Sequence, residues 1–263
     1  MNMSEIVGTH DILMITLDTL RYDAACEALK RGMTPHFEAI LPDKQWEERH
    51  SPASFTFAAH QAFFSGFLPT PIAPGKHPRL FAARFAGSET TTSDTFVFDT
   101  PDIVSGFASI DYQTICIGGV GFFNKKTPLA CVLPELFMQS YWSDEYGVTA
   151  MDSTHNQVQH ALKILQQRNS NQRVFMFMNI SALHQPNYFY LENAATDSYE
   201  SHIAALSYVD SQLPPLFEAF KKRAPTLGII FADHGTAYGE DGYTGHRIGH
   251  PVVWTIPYAE FIL

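Results

Sequence analysis

The sequence predicts an α/β protein with a mostly parallel central sheet sandwiched between helices. Three observations carry that expectation. Continuous apolar runs of strand length recur along the chain, at Asp11–Leu17, Gln113–Ile117, 173–180 and 226–232, and runs apolar on both faces suit parallel strands covered by helices. Segments of helical period alternate with them, as in chains built from strand–helix–strand units. At 263 residues and 45% hydrophobic content the chain can bury a sizeable core, and a single domain over 1–263 is the economical division.

Taken in order, the first run stops sharply at Asp18, and a helix is expected from there to about Arg31. Ligands in open α/β sheets gather beyond the carboxyl ends of the strands, which is where Asp18 falls, although an N-cap reading is as natural in isolation. The stretch 51–66 (SPASFTFAAHQAFFSG) reads as a loop delivering a hydroxyl to a short buried helix: Thr56 at the N-cap, an apolar run Phe57 to Phe64, and Gly66 to end it. A helix N-terminus offers unpaired N–H groups and a positive dipole end, so an anion is welcome there.

A Pro-rich connection follows (69–78), then 79–85, then a Ser/Thr-rich stretch 88–94 that reads as an exposed loop. A helix is expected from about Pro101 to Ile110. The second strand ends in Gly118-Gly119-Val120-Gly121, which lacks GxGxxG spacing and reads as a tight strand-to-loop turn. Lys125 and Lys126 read as a solvated loop. An amphipathic helix is expected over 153–167, with Val158, Leu162 and Leu165 inward. The third strand delivers Ser181 and His184-Gln185-Pro186; a helix follows over 199–213, which Pro214-Pro215 ends or kinks. The fourth strand stops at Asp233-His234-Gly235, and a glycine-rich loop to His250 returns to a last strand, 252–263, interrupted by Pro257.

Composition narrows the function class. A net charge of −10 and a pI near 5.6 argue against nucleic acid as a partner. Three cysteines without CxxC or zinc-ligand spacing predict buried thiols rather than disulfides. No basic leader and no long apolar run is present, so the expectation is a cytoplasmic chain with no membrane partner, of unspecified oligomeric state. Twelve histidines exceed what core packing normally uses and hint at a polar, metal-capable site.

Three buried strands thus end in Asp18, just before His184, and in Asp233-His234, and neighbouring parallel strands would gather those ends. Two carboxylates, an imidazole and the Thr56 hydroxyl suit Zn²⁺ or Mn²⁺, with Mg²⁺ and Ca²⁺ as further candidates. Two close carboxylates would repel one another without a cation. A cation beside Thr56 would lower the hydroxyl pKa and turn it into a nucleophile.

The segment Ile15-Thr16-Leu17-Asp18-Thr19-Leu20-Arg21, the Thr56 stretch, and Phe231-Ala232-Asp233-His234-Gly235 together resemble, in order, the signature blocks of the alkaline phosphatase superfamily, sulfatase-like branch. The resemblance spans nearly the whole chain. It implies Asp18, Asp233 and His234 as metal ligands and Thr56 as the metal-bound nucleophile. His184 reads as a leaving-group acid or phosphate ligand, the alternative being loop packing around Pro186, and His246 as a further catalytic residue, the alternative being a surface position on a polar loop. Sulfatases carry a CxPxR motif where this chain has Thr56, Ala58 and His60, and they carry a Lys-x-His that is missing here. Thr56-Phe57-Ala58-Ala59-His60 is closer to the TFPxH of nucleotide pyrophosphatase/phosphodiesterases, and the interval from Asp233 to His246 is similar to that of phosphoethanolamine transferases. The implied activity is metal-dependent hydrolysis or transfer of a small-molecule phosphate ester through a phosphothreonine. The alternatives are a sulfatase-like hydrolase of another ester and a non-catalytic metal-binding scaffold. His60 is left open between site and core.

Overall fold

The computed structural model describes residues 1–66 and 102–263; the connection 69–78, the segment 79–85, the loop 88–94 and Pro101 lie outside them. The strands in chain order are β1 (Asp11–Leu17), β2 (Glu47–His50), β3 (Gln113–Ile117), β4 (Gln139–Tyr141), β5 (Val174–Ile180), β6 (Thr226–Phe231), β7 (Ala237–Tyr238), β8 (Thr244–Gly245) and β9 (Thr255–Ile262). A seven-stranded sheet runs β2-β9-β6-β1-β5-β3-β4, and β7 pairs with β8 separately. From β6 to β4 every neighbour is parallel; β9 is antiparallel to both β6 and β2. The expected mostly parallel sheet between helices is what the chain forms.

Strand alternation divides two cores. Leu13, Ile15 and Leu17 of β1, with Val174, Met176, Met178 and Ile180 of β5, face a core shared with helices Tyr22–Lys30, Ser153–Gln166, Tyr199–Gln212 and Pro214–Arg223. Ile12 and Met14, with Phe175 and Phe177, face an aromatic core under helices Thr56–Ser65 and Ile103–Ala108. The Thr56–Ser65 helix is apolar around most of its circumference, and all but Phe63 and Ser65 of its residues are buried. That burial fixes its N-terminus over the carboxyl end of the sheet.

Several details differ from expectation. Thr56 is the first helical residue; Phe55, extended at φ −160°, is the N-cap, and no side chain caps the helix. The Thr56 hydroxyl is therefore free of the capping bond. Helix Tyr22–Lys30 starts later than Asp18 because Thr19 adopts a left-handed φ of 66°. Asp102 caps the Ile103–Ala108 helix through a capping box with Ser105. Pro214 opens a further helix, its missing N–H costing nothing at a first position. The last strand is preceded by a helical turn, Pro251–Trp254, and runs through Pro257 without a break. Pro257 lies outside the β9–β6 register, which begins at Tyr258, and there it only accepts, from Ala232 N–H at 3.2 Å. The edge strands β2 and β4 were not foreseen: β2 (EERH) is charged and exposed on all four residues, so it carries no core pattern. All three cysteines are free, with Cys116 buried and Cys26 and Cys131 half-buried. Among the described residues no helix is long and apolar enough to cross a membrane.

Candidate active site

The carboxyl ends of β1, β5 and β6 lie side by side, and the Thr56 helix points its N-terminus at them. Asp18, Asp233 and His234 are fully buried, and one ligand atom from each lies within 4.8 Å of the others. Thr56 Oγ1 stands 3.4 Å from Asp18 Oδ2, to which it donates, and 3.2 Å from His234 Nε2. His234 Nδ1–H donates to Gly235 O at 2.8 Å, which leaves Nε2 as a lone pair aimed into the cluster.

Backbone geometry holds these groups. Thr19 N–H and His234 N–H both donate to Asp233 Oδ1, at 3.1 and 2.9 Å. The left-handed Thr19 is what turns its N–H toward Asp233, and its own hydroxyl donates to Leu183 O. Ser51 Oγ donates to Asp233 O, tying the segment before Thr56 to the end of β6. Gly235 is needed for close approach: a Cβ there would lie 2.0 Å from Val252 O and 3.1 Å from Arg21 Cγ. Gly235→Ala is accordingly expected to destabilise the fold by about 1–3 kcal/mol, read as a lower Tm, and to weaken metal binding by displacing His234.

The electrostatics indicate what the cluster can hold. Asp18 Oδ1 and Asp233 Oδ2 are buried without a hydrogen-bond partner among the described residues. Burial, with Asp233 beside it, pushes the Asp18 carboxyl up to about 7, and burial pushes Asp233 up to about 7 as well. Two such carboxyls would share a proton or take a cation. The donor set fits a divalent cation: two orphaned carboxylate oxygens, one imidazole lone pair and one hydroxyl.

Both carboxyls titrate higher in the folded than in the unfolded chain, where 3.8 is the reference. The folded state therefore holds more protons between pH 4 and 7, and the metal-free protein loses stability as pH rises through that window. Cation affinity should move the other way, strengthening toward pH 7 as the competing protons leave. Metal-free Tm against pH, beside Zn²⁺ affinity at the same values, checks both slopes.

The other expected residues, and the histidine His250 that ends the glycine-rich loop, fall at graded distances. The His246 ring lies 4.6 Å from that of His234, and the His184 ring 5.5 Å from that of His246. Burial, then the neighbouring His234, His184 and Arg247, push His246 down to about 3, so it is neutral at ordinary pH. His184 is half-buried, and its Nδ1–H donates to Gln185 O at 2.6 Å. His60 lies beneath the cluster, its Nδ1 2.7 Å from Thr56 O. His250 is turned away: it caps Pro251–Trp254 and pairs with Asp241. Lys126 pairs with Asp144 on the surface. Not singled out from sequence were Asn179, which donates to Asp18 Oδ2 at 3.0 Å, and Arg21, whose buried guanidinium joins Asp23 and Glu240. A polar residue one place before the end of an otherwise apolar central strand was the available signal for Asn179.

The sulfatase family model matches residues 10–258. This chain is a member of the sulfatase family. No curated protein sequence matches it. Among solved structures, this sulfatase-family chain is similar to the C-terminal periplasmic domain of phosphoethanolamine transferase EptC from Campylobacter jejuni, at 15% identity and a TM-score of 0.63, covering 97% of this chain and 80% of that one. The corresponding domain of EptC from Escherichia coli, in complex with Zn, gives 12% identity and a TM-score of 0.67, covering 96% and 72%. The lipoteichoic acid synthase LtaP from Listeria monocytogenes gives 13% and 0.63, covering 97% and 65%. At these identities the likeness establishes the alkaline phosphatase/sulfatase-like fold.

Proposed function

We propose that this chain is a divalent-cation-dependent phosphotransferase or phosphohydrolase acting on small-molecule phosphate esters, with Thr56 as nucleophile. The observation that carries the reading is the placement of Thr56 Oγ1: first residue of a buried helix, uncapped, and 3.2–3.4 Å from His234 Nε2 and Asp18 Oδ2. Asp18, Asp233, His234 and Thr56 would hold the cation. When bound, it would lower the Thr56 hydroxyl pKa, so that the proton leaves to solvent, and would neutralise charge on a phosphoryl oxygen.

The chain's own residues do the rest. N–H groups of the first turn after Phe55 receive non-bridging phosphoryl oxygens. Thr56 Oγ1 attacks phosphorus in line, and the ester P–O bond opposite it breaks. With Nδ1–H committed to Gln185 O, His184 carries its mobile proton on Nε2 and gives it to the leaving oxygen. Neutral His246, between His184 and His234, orients the phosphoryl group by hydrogen bonding. Water or an acceptor alcohol then displaces Thr56, returning a proton to His184. That two of the matched structures are phosphoethanolamine transferases and another is a lipoteichoic acid synthase supports an acceptor alcohol.

The family match favours a second reading, hydrolysis of a sulfate ester with the same donor set. Metal-reconstituted protein assayed on p-nitrophenyl phosphate, bis-p-nitrophenyl phosphate and p-nitrophenyl sulfate separates them. Phosphate ester turnover without sulfate turnover is the expected result; preference for the sulfate would overturn it.

A further inference from the structure

β1 and β5 each close with polar residues on the face that is aromatic lower down. Thr16 follows Ile12 and Met14, Asn179 follows Phe175 and Phe177, and the two are register partners. Both are fully buried, as is His60 on the helix above them. Their hydrogen bonds admit one assignment. Asn179 Oδ1 accepts Val120 N–H at 3.0 Å, so its amide nitrogen must face the other way. Nδ2 donates one hydrogen to Asp18 Oδ2 at 3.0 Å and the other to Thr16 Oγ1 at 3.2 Å. Thr16 can then pass its own hydrogen to His60 Nε2, 3.1 Å away. Nε2 is thereby an acceptor, and Nδ1–H donates to Thr56 O at 2.7 Å. Asp233 Oδ2, at 3.8 Å from Nδ1, is beyond hydrogen-bond reach. The circuit closes where Thr56 Oγ1 donates to Asp18 Oδ2.

The glycine cluster of the sequence serves this circuit. A Cβ on Gly119 would lie 2.4 Å from Asn179 O and 2.8 Å from Ser181 Cβ, so only glycine lets the loop press onto β5 and bring Val120 N–H to Asn179. Phe63, Phe123 and Phe177 meet the His60 ring edge-on at centroid distances of 5.3–5.5 Å and exclude water from it.

We infer that Asn179 and His60 are positioning residues of one buried circuit: Asn179 occupies Asp18 Oδ2 so that Oδ1 is presented to the cation, and His60, as its Nδ1–H tautomer, fixes the backbone that aims Thr56 Oγ1. The inference rests on the assignment of Asp18 and Thr56 made above, and its zinc-affinity and tautomer tests are separable from turnover.

Zn²⁺ affinity is measured by chelator competition on the full chain. Asn179→Ala is expected to bind Zn²⁺ about 10- to 100-fold more weakly, the usual effect of losing a partner of a metal ligand; wild-type affinity would overturn the role given to Asn179. The ¹⁵N-histidine spectrum of the metal-free wild type, assigned by the signals lost in His60→Asn, should show Nδ1 protonated and Nε2 bare. An Nε2–H tautomer contradicts the circuit, and the tautomer itself is read on the wild type. For catalysis, His60→Leu should keep Zn²⁺ affinity within about threefold while kcat falls roughly 10- to 100-fold at unchanged KM. His60→Asn, whose amide can replace Nδ1–H on Thr56 O, should recover most of that loss. Equal activity of the Leu and Asn variants would reduce His60 to packing. If the wild type turned over no ester at all, the proposed function would fail while the zinc and tautomer measurements still judged the circuit.

Discussion

Thr56→Ala is expected to lower phosphate ester turnover by about 10³-fold or more, because it removes the hydroxyl that stands within hydrogen-bond reach of both Asp18 Oδ2 and His234 Nε2. Thr56→Ser should stay within roughly tenfold of wild type, since it keeps the oxygen at the first helical position. The folded state should tolerate both. Thr56 makes no capping bond, so removing its hydroxyl costs the helix no cap. Zn²⁺ should still bind the alanine variant through Asp18, Asp233 and His234, somewhat more weakly for want of one donor. Steady-state kinetics on metal-loaded proteins, with zinc content measured on the same samples, separates loss of the nucleophile from loss of the metal. Turnover of the alanine variant at the wild-type rate would remove Thr56 from the chemistry.

Asp233→Asn is the second change with a large expected effect, and it acts in opposite directions with and without metal. The amide keeps a carbonyl oxygen to accept Thr19 and His234 N–H, and it puts N–H₂ where the orphaned Oδ2 faces Asp18. A buried carboxyl held up near 7 disappears, so at pH 8 the metal-free variant should be more stable than wild type, by on the order of a few kcal/mol. Metal binding should collapse, by about 100-fold or more, because one of two anionic donors is gone. Wild type at 100 times its Zn²⁺ dissociation constant should gain about 2.7 kcal/mol from the ion, and the variant almost nothing. Thermal melts with EDTA and with Zn²⁺ read both effects. A variant less stable than wild type in EDTA would mean that the carboxylate is satisfied in the apo protein by a partner other than Asp18.

Much of this architecture was legible in the residues. β1 matches its apolar run residue for residue, because a strand buried on both faces has no alternation to blur its ends. Asp18 and Asp233-His234 stood out for the same reason, as abrupt polar endings of apolar runs. The Thr56 helix was visible as an apolar segment closed by Gly66, which does adopt the left-handed conformation at φ 72°. Its capping was misread, because a Thr before an apolar run has the same pattern whether it caps the helix or begins it. The charged edge strand β2 and the three-residue β4 carry no burial pattern that could announce them. Asn179 and Thr16 were hidden inside strands that read as hydrophobic; only the register that pairs them shows that their side chains share the face under His60. His60 itself could not be decided from sequence, since a site histidine and a packed one look alike until the partners of both ring nitrogens are known.

The most direct test of the central claim is acid-quenched mass spectrometry of the Zn²⁺-loaded protein during turnover of a phosphate ester, with the peptide containing Thr56 mapped. The mechanism predicts a phosphoryl group on Thr56 that accumulates with substrate, disappears when substrate is exhausted, and is absent from Thr56→Ala. Steady turnover with Thr56 unmodified, at a time resolution shorter than one turnover, would contradict it and point to direct attack by water.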